Sequence, residues 1–169
     1  MVPDRRLAAR GGERVRIVDT MLVHADVARC FTRGADVERW PEWLPHYRWV
    51  RFLEKRGTTG GLVEMAAWRP FGPLRWPTWW VSEMTIEPDV PRVRYRHVRG
   101  ITTGMDVAWE FVPEGDGTRV TITHWWNGPG WPLIGRPAAD AVIGPVFVHG
   151  IASRTLAGIA RAVEREADG

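Results

Sequence analysis

The chain has 169 residues, 44% of them hydrophobic and 25% charged, which is enough apolar material for one buried core and a balance that excludes disorder or a membrane protein. Its formal charge is +3, carried almost wholly by arginine with Lys55 the sole lysine; the arginines are spread along the chain rather than gathered with aromatics between them, which argues against DNA binding. Cys30 is the single cysteine, so an intramolecular disulfide and a multi-cysteine zinc site are both excluded.

Met1 to Glu13 is polar, carries Arg5, Arg6, Arg10 and Gly11-Gly12, and reads as a flexible segment ahead of a single domain at 14–169. It has no apolar leader core, and no later run approaches the roughly 20 apolar residues of a membrane helix. A soluble, cytoplasmic protein without stable membrane insertion is expected. Residues 14 to 24 alternate as a first strand. Asp26 caps a short helix to about Arg33 that Gly34 closes, and Asp36 caps a second, Val37 to Trp43, that Pro45 ends.

From Tyr47 the pattern changes to strands: Tyr47 to Glu54, Leu62 to Arg69, then, after a proline-rich interruption at Pro70 to Pro77, Thr78 to Glu87, Arg92 to Arg99, Met105 to Val112 and Thr118 to Trp126. Glu114-Gly115-Asp116-Gly117 is the clearest hairpin signal. Asn127 to Pro145 is rich in glycine and proline, with a short helix at Pro137 to Val142 and the length of a lid. A long helix from Pro145 to Glu166 ends the chain, its stripe formed by Val148, Ala152, Leu156, Ile159 and Val163. Such a stripe needs a partner, and the sheet is the only large one.

Three features together, this order, the segment Ala35-Asp-Val-Glu-Arg-Trp-Pro-Glu-Trp-Leu-Pro45, and Trp109-x-Phe111-x-Pro113 followed by Gly115-Asp-Gly117-Thr-Arg-Val120, carry a family likeness. The chain resembles the SRPBCC superfamily, which includes START lipid-transfer domains, birch-pollen-allergen-like proteins and the bacterial polyketide cyclase/dehydrase group. The resemblance spans roughly Val15 to Val163. It implies an α+β helix-grip fold: a curved antiparallel sheet of about seven strands, in the order β-α-α-β6-α, wrapped around a long C-terminal helix with an internal cavity. It further implies an apolar ligand such as a lipid, quinone or polyketide, and no single chemistry.

Alternation assigns faces. The inward sets are Met65, Ala67 and Arg69; Trp80, Ser82, Met84 and Ile86; Val93, Tyr95 and His97; Met105, Val107, Trp109 and Phe111; and Val120, Ile122, His124 and Trp126. The strand from Tyr47 shows no clear alternation and receives no face. These sets hold more polar groups than a dry core tolerates, since each buried without a partner costs a few kcal/mol; a ligand cavity with convergent polar groups satisfies them. The ligand-binding candidates are therefore Met65, Ala67, Arg69, Trp80, Ser82, Met84, Tyr95, His97, Met105, Val107, Trp109, His124 and Trp126, with Phe147 and Ile151 from the last helix.

Arg69, Tyr95, His97 and His124 are the candidate catalytic groups. His97 and His124 lack a third metal ligand at suitable spacing, so no metal is expected, and no cofactor motif is visible. The preferred reading is a carrier of an apolar small molecule. The alternative is a cofactor-independent aromatase/cyclase acting on a poly-β-ketone, and a further one is a protein or RNA interaction module resting on the row Arg92, Arg94, Arg96.

Overall fold

The computed structural model describes residues 14–71, 74–127 and 149–167. Seven strands, β1 (Val15–Val23), β2 (Tyr47–Lys55), β3 (Gly60–Phe71), β4 (Leu74–Glu87), β5 (Arg92–Gly100), β6 (Asp106–Glu114) and β7 (Gly117–Trp126), form one antiparallel sheet in the order β1-β7-β6-β5-β4-β3-β2. β1 closes against β7 in continuous register, Val15 opposite Trp126 through Val23 opposite Thr118. The two ends of the sheet are joined in sequence by α1 (Val27–Ala35), a 3-10 turn (Val37–Arg39) and the single turn α2 (Trp40–Trp43). The last helix, α3 (His149–Ala167), packs on β1, α1 and β3. This is the helix-grip architecture that the sequence leads one to expect.

The inward sets are buried as a group: Met65, Ala67, Trp80, Met84, Val93, Tyr95, Trp109, Phe111, Val120 and Ile122 are all below 5% exposed. Ala152, Leu156, Ile159 and Val163 complete the same core from α3. The β2 strand lacks alternation for a visible reason. Its pairing with β3 slips between Tyr47 and Trp49 and again between Phe52 and Glu54, and each bulge turns the following residues to the other face.

Three expectations need correction. The proline-rich stretch does not interrupt the sheet: β3 and β4 pair through it, with Trp68 opposite Pro77, Pro70 opposite Arg75 and Phe71 opposite Leu74. Both prolines are tolerated because this hairpin outruns its neighbours. The β2 register ends at Tyr47 opposite Ala67, with one further bond from the Trp68 amide to the His46 carbonyl, and the β5 register at Gly100 opposite Trp80, so among the described residues Pro70 and Pro77 have no outer ladder bond to lose.

Gly34 does not close α1, which runs on to Ala35. A Cβ there would lie 2.5 Å from Phe111 Cζ, so this glycine serves the close approach of α1 to the sheet. Asp36 makes no side-chain cap, and the residues after it form a 3-10 turn and then α2, not one helix. Asp26 does cap α1, accepting from the Arg29 amide at 2.9 Å. The expected Pro145 start of the last helix, the short helix at 137–142, the lid at 127–145 and the flexible segment at 1–13 lie outside the described residues, apart from Asn127.

Gly158 sets how closely α3 approaches α2. A Cβ at this position would lie 2.1 Å from Leu44 Cδ2, and Leu44 is fully buried. Alanine is the better helix former by about 1 kcal/mol, but relieving the overlap should cost more. Gly158→Ala is expected to destabilise the protein by roughly 1–3 kcal/mol in urea unfolding; a neutral or stabilising result would mean that α3 is not seated as described.

Candidate functional site: an aromatic cavity with one buried arginine

Between sheet and α3 lies a cavity of about 50 Å³. Its aromatic wall is built by contact between distant elements. Trp40 of α2 stacks on Trp109 of β6 at 5.2 Å and meets Tyr47 of β2 edge-on at 5.1 Å. Tyr47 lies against Trp80 of β4 at 6.2 Å, and Trp80 stacks on His97 of β5 at 5.8 Å with their planes 14° apart. Met65, Met105, Val107 and Ile122 complete the sheet side, and Ile151, Ala152 and Thr155 the helix side. The free volume suits a few waters; the rings fill most of the hollow that the sheet and helix enclose.

Arg69 is the only charged side chain among the described lining residues and is 5% exposed. Its Nε donates to Thr78 Oγ1 at 3.2 Å, and Thr78 in turn donates to the Ala67 carbonyl at 3.0 Å. The guanidinium lies 5.5 Å from the Trp80 ring centroid, where the π face attracts a cation. Burial pushes its pKa down to about 10, so it remains a cation at neutral pH. Burial, reinforced by the Arg69 charge, pushes both His97 and His124 down to about 3. Both imidazoles are therefore neutral at physiological pH. His97 Nδ1 is hydrogen-bonded to Thr102 Oγ1 at 2.6 Å.

Two wall residues carry buried polar atoms with no hydrogen-bond partner among the described residues, Tyr95 Oη and His124 Nδ1. Burial holds the Tyr95 phenol well above its ordinary pKa, so it is a proton donor. Thr155 ties the helix to the opposite wall: its Oγ1 donates to the Ile151 carbonyl at 2.8 Å and so accepts from His46 Nε2 at 3.0 Å. Among the described residues no three of His, Cys, Asp and Glu come together as metal ligands, and no helix is long and apolar enough to cross a membrane.

Of the residues singled out from sequence, Met65, Arg69, Trp80, Tyr95, His97, Met105, Val107, Trp109, His124 and Ile151 stand at the cavity wall. Ala67, Ser82, Met84 and Trp126 do not. They are buried in the surrounding core, with Trp126 Nε1 donating to the Thr103 carbonyl at 3.2 Å. Phe147 lies outside the described residues. Trp40, Tyr47, Ile122, Ala152 and Thr155 were missed. The bulges hid Tyr47, whereas Ile122 and Ala152 already sat on the inward face and the apolar stripe. Trp40 was visible only as part of a helix, and Thr155 only as a polar residue one turn after Ile151. On the outer face Arg92 and Arg94 both hold Glu87, at 2.5 and 2.9 Å, so that arginine row is partly neutralised.

Fold and site together define a helix-grip protein with an aromatic cavity between sheet and terminal helix. Residues 23–146 match the family described as polyketide cyclase / dehydrase and lipid transport, and the chain belongs to that family. It is 36% identical over 118 residues to the actinorhodin polyketide synthase bifunctional cyclase/dehydratase of Streptomyces coelicolor, a match that covers 69% of this chain and 35% of that protein. The chain thus spans about a third of the length of that curated relative.

Among solved structures, a protein of Thermus thermophilus superposes with a TM-score of 0.75 at 18% identity, covering 90% of this chain and 99% of that one. The Zhui aromatase/cyclase of a Streptomyces species superposes with a TM-score of 0.72, also at 18% identity, covering 90% and 95%. At such identities the likeness speaks for the fold.

Proposed function

We propose that residues 14–169 act as one ligand-binding unit, in the cytoplasm, that takes up an apolar small molecule bearing carbonyl or phenol oxygens, of the polyketide kind. The observation that carries this reading is the convergence on one aromatic cavity of a buried guanidinium, Arg69, with two polar atoms that have no hydrogen-bond partner among the described residues, Tyr95 Oη and His124 Nδ1. A hydrocarbon chain would leave them unsatisfied at about 1–3 kcal/mol each, whereas a ligand carrying oxygens supplies the missing acceptors and donors. A ligand of any size enters by displacing rings of the wall.

A second reading, cyclisation with loss of water, is favoured by the charge pattern. The Arg69 cation can polarise a carbonyl oxygen and stabilise the enolate as the carbon between two carbonyls gives its proton to a neutral imidazole, a transfer helped because the enolate oxygen offsets the Arg69 charge that depresses that imidazole. The enolate carbon attacks a further carbonyl of the same chain, whose oxygen takes up the proton held by the imidazole; the hydroxyl then leaves with the remaining proton of the bond-forming carbon, as water. No external oxidant or reductant enters this sequence. The family membership and the cyclase/dehydratase relative support the same chemistry.

The two readings separate in one experiment. Purified protein is titrated with an aryl-ended poly-β-ketone, whose enolate carbon can reach a further carbonyl through a six-membered ring, while its tryptophan emission is followed, and the mixture is then analysed for a cyclised, dehydrated product. Quenching without product leaves a carrier; quenching with product that is lost in Arg69→Ala/His124→Ala gives the enzyme. No quenching and no product, with native mass spectrometry showing an empty chain, would defeat both.

A further inference from the structure

Outside the cavity, several arginines on this surface hold a carboxylate: Arg39, Arg51, Arg56, Arg92 and Arg119 each do. Of those that do not, three are gathered in one place. Arg75 at the start of β4 and Arg154 and Arg161 on α3 converge on a cleft of about 330 Å³ whose described lining contains no Asp or Glu. Arg154 and Arg161 are seven residues apart, two helical turns, and so share a face. Trp68 and His46 also line the cleft, and Arg48 lies over the Trp68 ring at 4.7 Å. The backbone here is firmly joined, the Trp68 amide donating to the His46 carbonyl at 2.7 Å.

Three exposed guanidiniums around one concavity with no counter-charge among its described lining residues create a standing positive potential. Relieving it calls for an anion with more than one charge and several acceptor oxygens. A phosphoryl group meets both needs: it carries close to two negative charges at neutral pH and three oxygens for forked guanidinium donors. A single carboxylate offers half the charge. The apolar edges supplied by Leu44, Ala157 and Trp68 suit an organic substituent on that group.

We propose that this cleft is a binding site for a phosphoryl group carried on an organic molecule, held by Arg75, Arg154 and Arg161. The site is separate from the cavity, since none of the three arginines lines it, and so stands or falls independently of the cavity's own ligand. His46 adjoins both: it lines the cleft, and through Thr155 it touches the cavity wall. Its pKa is held down to about 4 by burial first, and then by Arg154, Arg69 and Arg161, so an anion seated on those arginines should raise it.

The test uses 1-naphthyl phosphate, 1-naphthol and inorganic phosphate, with binding followed by amide and indole NMR shifts in the wild type and in Arg154→Gln/Arg161→Gln. The expected result is saturable binding of both phosphates that shifts Trp68 and His46 signals and raises the His46 pKa. Naphthyl phosphate should bind more tightly than inorganic phosphate, and the double variant, with an unchanged thermal melt, should lose about tenfold or more in affinity. Sedimentation with phosphatidylcholine vesicles, with and without phosphatidic acid, separates the sources. Capture only by phosphatidic acid, lost in the variant, identifies a lipid headgroup; binding of the soluble ester without vesicle capture identifies a free ester. Naphthyl phosphate binding no better than naphthol, or equal affinity in the variant, with no vesicle capture, overturns the proposal.

Discussion

Arg69→Met is expected to weaken the binding of oxygen-bearing ligands strongly while leaving the protein as stable as before. The two halves of that result come from different terms. A charged donor to a ligand oxygen in a site that excludes water contributes about 1.5–3 kcal/mol, so the dissociation constant should rise by roughly tenfold to a hundredfold or more. Stability behaves otherwise. A buried guanidinium is costly to desolvate, as its depressed pKa of about 10 records, and replacing such a charge with an apolar side chain of similar length is often neutral or stabilising. Thr78 retains its bond to the Ala67 carbonyl after the change.

The wild type should hold its affinity into the alkaline range, because a guanidinium keeps its proton even where burial lowers its pKa, and the variant should bind weakly at every pH. Fluorescence titration across pH together with thermal unfolding checks both. A variant that binds normally removes Arg69 from the site, and one that melts far below the wild type makes it a structural residue instead.

The fold was legible because it rests on patterns with one strong period each. Alternation in β4 to β7 predicts the inward face, and every inward residue of β6 and β7 except His124 is below 7% exposed. Where two signals competed, the reading went wrong. Proline at 70 and 77 reads as a break, and only the overhang of the β3–β4 hairpin past its neighbours makes those positions harmless. Gly34 reads as a terminator, yet what demands glycine there is the Phe111 ring from a strand some seventy residues later.

The candidate site divides in the same way. Arg69, Tyr95, His97 and His124 were visible as polar residues out of place on apolar faces. Tyr47 and Thr155 were not, since a bulged strand has no constant face and a threonine on a helix has no fixed partner until tertiary structure supplies His46. The basic cleft left no local trace: Arg75 and Arg154 lie far apart in sequence and meet only through the packing that sets α3 beside β3.

Acid should destabilise this protein earlier than its carboxylates alone would require. His46 and His97 are 8% and 7% exposed, and burial holds their folded pKa values at about 4 and about 3, against about 6.5 in an unfolded chain. Between those values the unfolded state binds more protons than the folded one, so stability is complete above pH 6.5 and falls as pH drops toward 4 and 3. Each histidine contributes at most about 1.4 kcal/mol per pH unit in that window. Two of them over two units remove roughly 5 kcal/mol, a large share of the ~5–15 kcal/mol a domain possesses. Glu64, whose pKa lies below its ordinary value because Trp79 and Arg51 hold the carboxylate against the opposing effect of burial, adds its own loss only below about pH 4.5, so the interval from 4.5 to 6.5 reports on the histidines. Urea unfolding at half-unit steps through that interval should show the wild type falling steeply. His46→Gln/His97→Gln should fall far less, because glutamine can still hydrogen-bond Thr155 and Thr102 but cannot take up a proton. Equal slopes would mean that these two imidazoles titrate normally, and His97 would lose its standing as a buried, neutral group of the cavity wall; His124, which burial also holds at about 3, contributes its share of the fall in both proteins.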